Sequence, residues 1–400
     1  LLTAEEVNRM PLGWGAYMVE EWLEGESIRL VKNPYYFRAD EGLPYFDILN
    51  FKFISPASIE NISQLANGQC DVISDSVLDI TFLDSTSVDP VNYGFKTVMR
   101  ESGRLEMLAF GIKPSSYDDY YYPYGVDRPD VFGDIRTRQA FAYCIDRENI
   151  TKKLMKGLVD VSDTYLPSNN PYLNGLTPAE YPYDPATGAA LLESVGWIDL
   201  DFNPETPRAH IGSALIPYGT PLSVSLLISE AGLRNGIAAE ISANLANCGI
   251  EIVINQIPAN EIYLPGPEGQ IFGRKFDLAL LSWETGEEIL CAGFTSLEIP
   301  SDNNDWLGEI TGGANYYGYA NSSYDLECKT YSAAGLDQTG RTASGQAMLR
   351  LLADELPFLP LFHYPDAFMI NDQICPPNGL DSEYSLFVDI ESINDRGTCE

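Results

Sequence analysis

Pro11-Leu12-Gly13-Trp14-Gly15-Ala16-Tyr17 leads into Glu20-Glu21-Trp22, and Lys32-Asn33-Pro34-Tyr35-Tyr36 follows a few residues later. The glycine pair, free of any Cβ, predicts a tight backbone turn just before a strand. Ser27-Ile28-Arg29-Leu30-Val31 reads as a second strand, which ends at an Asn-Pro turn followed by two aromatics.

Working outward, residues 47–54 alternate apolar and polar and read as a strand. Ser58 is placed as the cap of a short helix with Ile59, Ile62 and Leu65 on one side and Gly68 closing it. Residues 70–73 and 105–112 are further strands, and 114–129 is a Tyr-, Asp- and Pro-rich loop. Asp134 and Asp146 cap consecutive helices, the second ending at Gly157. Asp184, Pro185 and Gly196 mark the start and stop of another, with Thr187 and Gly188 weakening its first turn. A strand at 222–228, a helix carrying Ile237, Ile241 and Leu245, and a strand at 250–254 make a right-handed parallel crossover. Residues 276–283 are apolar almost throughout, as expected of a buried central strand. Helices are read at 325–332 and 341–354, the second with Met348, Leu351 and Leu352 on its core face, before an extended apolar segment at 357–361.

The chain of 400 residues is long enough for two domains, and 45% of it is apolar, so it is globular. A net charge of −34 argues against nucleic acid and against a polybasic hold on anionic lipid. Only two histidines occur, His210 and His363, both read as structural. A His-based triad or metal site is therefore poorly supplied. No G-x-S-x-G elbow, Walker loop or H-E-x-x-H is present. There is no run of about 18 apolar residues, and no cofactor or metal is implied. Of seven cysteines, none forms CxxC. Cys144 and Cys248 fall on apolar helical faces and read as buried thiols. Cys291 with Cys328, and Cys375 with Cys399, lie in turn-rich segments and are paired as disulfides, fitting an oxidising compartment. Cys70 is left for a partner upstream.

The opening stretch resembles the "P-x-G-x-G-x-Y … N-x-x-Y" signature of the family 5 solute-binding proteins, extracytoplasmic receptors that feed solutes to ABC importers. Asp134 to Ile150 resembles the family's "D-x-R-x-R-Q-A-x-x-x-x-I-D-R-x-x-I" block, whose arginines and Asp146 are read as tying helix ends together. Tyr183 to Trp197 resembles "Y-D-P-x-x-A-x-x-L-L-x-x-x-G-W", residues 357–361 resemble "L-P-x-x-P-L-x", and Asn315 to Asn321 resemble "N-x-x-G-Y-x-N".

The resemblance implies an α/β, two-lobe periplasmic-binding-protein type II fold with mixed sheets and interlobe crossing strands, the N-terminal part of the first lobe lying upstream of this chain. Residues 1–106 and 371–400 are assigned to lobe I and 107–370 to lobe II. The implied function is capture of a peptide or similar small solute in an interlobe cleft and delivery to an ABC transporter permease. The implied location is periplasmic or extracellular, with membrane association only through a lipid anchor upstream. An oligosaccharide-binding member, a secreted carboxylate-dependent hydrolase and a sensing receptor are the alternatives.

Ligand-binding candidates are Trp283, Glu284, Glu287, Asn315, Tyr316, Tyr317 and Trp14. Trp283 either stacks on a ligand or closes the core edge beside an acidic loop. The tyrosines either rim the site or pack over a sheet edge, and Trp14 either faces the cleft or packs its own turn. In peptide-binding members an Asp shortly after the corresponding Trp holds the peptide's amine; Gly286 and Glu287 stand in that neighbourhood here.

Overall fold

A computed structural model describes residues 9–11, 13–54, 58, 61–74, 94–113, 130–213, 216–230, 232–286, 288–335, 337–375 and 389–395. The chain divides into two compact units, Leu1–Arg100 with Pro365–Glu400, and Glu101–Tyr364.

In the first unit, β1 (Tyr17–Leu23), β2 (Ser27–Lys32) and β3 (Ile48–Lys52) form an antiparallel sheet in that order. Neither Gly13 nor Gly15 takes a positive φ, and no atom crowds Gly15. The turn is held instead by Asn33, whose N–H donates to the Ala16 carbonyl and whose Nδ2 donates to the Gly15 carbonyl, each at 2.8 Å. Helix α1 spans Ile62–Ala66, with Asn61 at the cap position, so Ser58 does not cap it. Gly68 closes it with a φ of 66°. β4 (Val72–Ser74) follows. The expected loop at 114–129 lies outside the described residues.

β5 (Phe95–Phe110) is much longer than the eight residues read from the sequence and runs across the division of the chain. In the second unit come α2 (Ile135–Cys144), α3 (Arg147–Leu154), α4 (Pro185–Ser194), and the short strands β6 (Trp197–Ile198) and β7 (Ala209–His210). β8 (Ser223–Ser229), α5 (Gly232–Ala246) and β9 (Glu251–Ile257) make the crossover. β8 and β9 are parallel in register from Ser223↔Glu251 to Ser229↔Ile257, as the sequence predicts. β10 (Leu278–Glu284), α6 (Ser322–Ala333), α7 (Gln338–Glu355) and β11 (Phe358–Asn371) complete the order. β11 extends the segment read at 357–361 and likewise runs across the division.

The strands of the second unit lie in the order β11-β5-β10-β8-β9. β10 is antiparallel to β5 and parallel to β8. Buried Leu278, Ala279, Leu280 and Leu281 confirm β10 as central. In the first unit the distal part of β11 pairs with β4, Met369 opposite Ile73. There Phe368, Ile370, Ile374 and Ile393 form a small core.

Asp134 and Asp146 cap α2 and α3, accepting from Arg136 N and Asn149 N at 2.9 Å each. The arginines of that block do tie segments together. Arg138 donates to the Phe132 and Glu355 carbonyls. Arg147 donates to the carbonyls of Ser162, Pro360 and Tyr181 and pairs with Asp163 at 2.9 Å.

Cys144 and Cys248 are not thiols: they are bonded to each other, closing a separation of 104 residues. The ends of α2 and α5 abut, as the bond from Asp146 N to Asn244 Oδ1 at 2.9 Å records, and the two sulfurs meet there. Gly188 belongs to this contact, because a Cβ on it would stand 2.4 Å from Cys144 Sγ. Cys291 is bonded to Cys328, and Cys70 is a free thiol. Cys375 is disulfide-bonded, while Cys399 lies outside the described residues.

Candidate functional site

β8 and β10 run parallel, so their carboxyl ends share one edge of the second unit's sheet, the edge at which α/β proteins place ligands. The antiparallel register sets Glu284 of β10 opposite Arg104 of β5, and Ser282 opposite Glu106. Registered pairs share a face and successive residues alternate. Arg104, Glu106, Ser282 and Glu284 therefore stand on one face, with Leu105 and Trp283 on the other. Just past the end of β10, Thr285 N and Oγ1 donate to the Gly103 carbonyl at 2.7 and 2.8 Å. A Cβ on Gly103 would lie 2.3 Å from the Thr285 carbonyl oxygen, so only glycine permits this closure.

On the polar face, Glu106 is fully excluded from solvent, at 0% exposure. Its oxygens accept from Arg234 Nε at 2.9 Å and Nη2 at 3.2 Å, and from the Tyr364 hydroxyl at 2.9 Å. Arg234, two residues into α5, also donates to Ser229 Oγ at 2.7 Å and Ser282 Oγ at 2.9 Å. One arginine thus links the ends of β8 and β10 to the adjoining stretch of β5. Burial opposes the charge on Arg234, but Glu106 outweighs it and raises the guanidinium pKa. Burial and then the Glu106 carboxylate push the Tyr364 phenol up. At the outer margin Arg104 is exposed, with its guanidinium carbon 4.0 Å from the centre of the Tyr364 ring, and Glu284 is exposed beside it.

The opposite face is aromatic. Trp283 is half-buried, stacked on Tyr165 at 6.4 Å and edge-on to Phe294 at 5.4 Å. Phe294 stacks in turn on Tyr317 at 5.6 Å, and Tyr316 packs on Tyr317 at 4.4 Å. The structure therefore joins Trp283, Tyr316 and Tyr317 through Phe294, which the sequence reading missed because it ends a single-turn 3-10 helix, Cys291–Phe294, too short to show a periodic pattern. Asn315 and Tyr317 are both at 0% exposure and belong to the core, not to a rim. The Asn315 amide donates to the Thr295 and Tyr319 carbonyls and accepts from Tyr319 N, so it is spent on the local turn. The Tyr317 hydroxyl points at Met107 Sδ, 3.5 Å away.

Glu287 lies outside the described residues. Trp14, in the first unit, is 92% exposed and does not pack its turn. The sequence reading did not single out Arg104, Glu106, Arg234 or Tyr364. A charged residue inside the apolar run of 105–112 was the available signal.

Both histidines are buried. His210 packs edge-on to Trp197 at 4.9 Å, its Nδ1 accepting from Gly212 N, and burial lowers its pKa, as it lowers that of His363. Among the described residues no group of His, Cys, Asp and Glu has metal-site geometry, and no helix is long and apolar enough to cross a membrane.

The model of the bacterial extracellular solute-binding proteins, family 5 Middle, matches residues 3–288. The chain is 23% identical over 378 residues to the oligopeptide-binding protein AppA of Bacillus subtilis (strain 168), covering 92% of this chain and 59% of that protein. It is 23% identical over 376 residues to a probable di/tripeptide-binding protein 5 of Pseudomonas aeruginosa (strain UCBPP-PA14), covering 93% and 60%. The chain thus spans about three-fifths of the length of these curated relatives. Among solved structures, Brucella suis NikA in complex with Fe(III)-EDTA superposes with a TM-score of 0.70 at 18% identity, covering 96% of this chain and 69% of that one. Bacillus subtilis AppA in complex with a nonapeptide superposes at 0.64 and 18%, covering 95% and 66%. These similarities show the fold.

Proposed function

For a chain that belongs to the bacterial extracellular solute-binding proteins of family 5, we propose a receptor that captures a peptide or similar small solute and delivers it, chemically unaltered, to an ABC transporter permease. The match over residues 3–288 carries this reading. It reaches past the end of β10, where the exposed Glu284 and Arg104 stand side by side. We place ligand contact at these strand ends. The polar face there offers an acceptor for an ammonium group in Glu284 and a donor in Arg104. Trp283 lends an aromatic surface from the other face. The buried Glu106–Arg234–Tyr364 network holds the strand ends in place, so little is lost in ordering them when a ligand arrives.

Relatives named for peptides favour a peptide. The oligosaccharide alternative rests on the aromatic Trp283.

The test is a thermal-shift panel of mixed peptides, cello- and xylo-oligosaccharides and nickel, because a ligand that binds only the folded state raises Tm by mass action. Peptides are expected to raise Tm, and Trp283→Ala or Glu284→Gln to reduce the shift. Mass spectrometry of the recovered ligand is expected to find it intact. A shift with oligosaccharides alone would discard the peptide reading, and a cleaved ligand would discard the receptor reading.

A further inference from the structure

We propose that Arg104 is the specificity-determining residue of this strand-end site and that it takes a carboxylate of the ligand, in the first instance the free carboxyl terminus of a peptide. This rests on the receptor reading above and adds to it the group by which the solute is recognised.

The chain carries 58 acidic residues against 24 basic ones, so its cations are readily occupied. Most described arginines are paired with a carboxylate or spent on backbone carbonyls. Arg29, Arg147, Arg208, Arg234 and Arg341 show the first pattern, and Arg138 the second. Arg104 differs. Glu284 stands directly opposite in the register, yet no carboxylate or carbonyl among the described residues accepts from the Arg104 guanidinium. Its guanidinium lies over the face of the Tyr364 ring, 4.0 Å from guanidinium carbon to ring centre. That contact uses the π face of the cation and leaves its in-plane N–H groups free.

The platform is itself fixed. The Tyr364 hydroxyl is bonded to Glu106, which Arg234 holds with two further bonds, and the ring packs edge-on to Phe362 at 5.3 Å. A guanidinium on a rigid aromatic face, with its fork open to solvent, is pre-organised for the two parallel bonds a carboxylate accepts. A phenol and a buried carboxylate already satisfied within the protein do not compete for it. Glu284 on the neighbouring strand disfavours a second negative charge close by, so the site suits a ligand with a single carboxylate and a cationic or neutral remainder.

Two sources present this chemistry, a peptide terminus and a uronic acid. The experiment is isothermal titration of the whole chain with three probes: a mixed tripeptide library with free carboxyl termini, the same library amidated, and a xylotriose bearing one glucuronic acid. Each is repeated with Arg104→Gln and with Arg350→Gln, the second removing another exposed arginine, on α7, that has no acceptor among the described residues. Circular dichroism checks that both variants fold. Free-acid peptides are expected to bind about 10–100-fold more tightly than amides. Arg104→Gln should abolish the difference between acids and amides, while Arg350→Gln keeps it.

If the glucuronic-acid xylotriose alone binds, and needs Arg104, the carboxylate assignment stands and the peptide source falls. Equal binding of acids and amides, or an acid preference that survives Arg104→Gln, overturns the inference and leaves the receptor reading standing. Binding of none of the three probes overturns the inference together with the ligand site on which it rests.

Discussion

Replacing Arg234 with Met tests whether a single buried charge pair secures the strand ends. Glu106 has no exposed surface and accepts three hydrogen bonds, two of them from Arg234. Arg234→Met leaves a carboxylate with one phenolic donor in a site that water does not reach. Each charge-assisted bond contributes about 1.5–3 kcal/mol net. Breaking one side of a buried pair costs about 3–5 kcal/mol, because the remaining charge keeps its desolvation penalty. At about 2–4 °C per kcal/mol for a unit of this size, Tm should fall by roughly 6–20 °C. The assay is urea unfolding followed by tryptophan fluorescence, with the midpoint and slope fitted together.

The double variant Glu106→Leu/Arg234→Met removes both charges and is expected to recover most of the loss, giving a coupling of at least about 2 kcal/mol. An Arg234→Met variant within 1 kcal/mol of the parent, or a double variant as unstable as the two singles added, would refute the reasoning. Either result would mean that water or a neighbouring donor satisfies Glu106 without the arginine.

Two further outcomes concern stability. Cys144→Ala/Cys248→Ala opens a separation of 104 residues and is expected to cost up to about 5 kcal/mol by loop entropy, read as a drop in urea midpoint. Gly188→Ala is expected to destabilise the parent by about 1–3 kcal/mol, because its Cβ would stand 2.4 Å from Cys144 Sγ, and to lose most of that cost in the cysteine-free background. A cost that persists there would place the clash at the Ala140 carbonyl instead. At Glu298, burial pushes the carboxyl up. The Thr311 hydroxyl and the N–H groups of Thr311, Ile310 and Glu309 outweigh that and hold it below its ordinary 4.5. A depressed folded-state pKa contributes stability that is fully present above 4.5 and is lost as pH falls through the folded value. Glu298→Gln should therefore destabilise at pH 7, with the gap to the parent closing below pH 4.5; a gap independent of pH would contradict the assignment.

Much of the architecture was legible from residue order because it rests on local chemistry. Asp134, Asp146 and Asp184 announce their helices since a carboxylate at the cap satisfies orphan N–H groups whatever the surroundings. The apolar run ending at Trp283 marks a central strand because both of its faces must be covered. Segment ends were less legible. β5 extends well past its apolar stretch, where pairing with neighbours sustains it, and β11 runs through the break at His363, Pro365 and Asp366 into the buried Phe368 and Ile370.

The ligand candidates separated for the same reason. Asn315 and Tyr317 carry residue types suited to a binding rim, yet Tyr317 packs on Phe294 and Phe358 and Asn315 is bonded to the Thr295 and Tyr319 backbone, so both lie inside. The family, the helix starts and the parallel crossover follow from neighbouring residues and their spacing. The pairing of Cys144 with Cys248 and the joining of Glu106, Arg234 and Tyr364 do not. Those partners lie 104, 128 and 258 positions apart. Meetings at such range arise when strands register and helices dock, and no local pattern encodes which distant charge or thiol will lie across the gap.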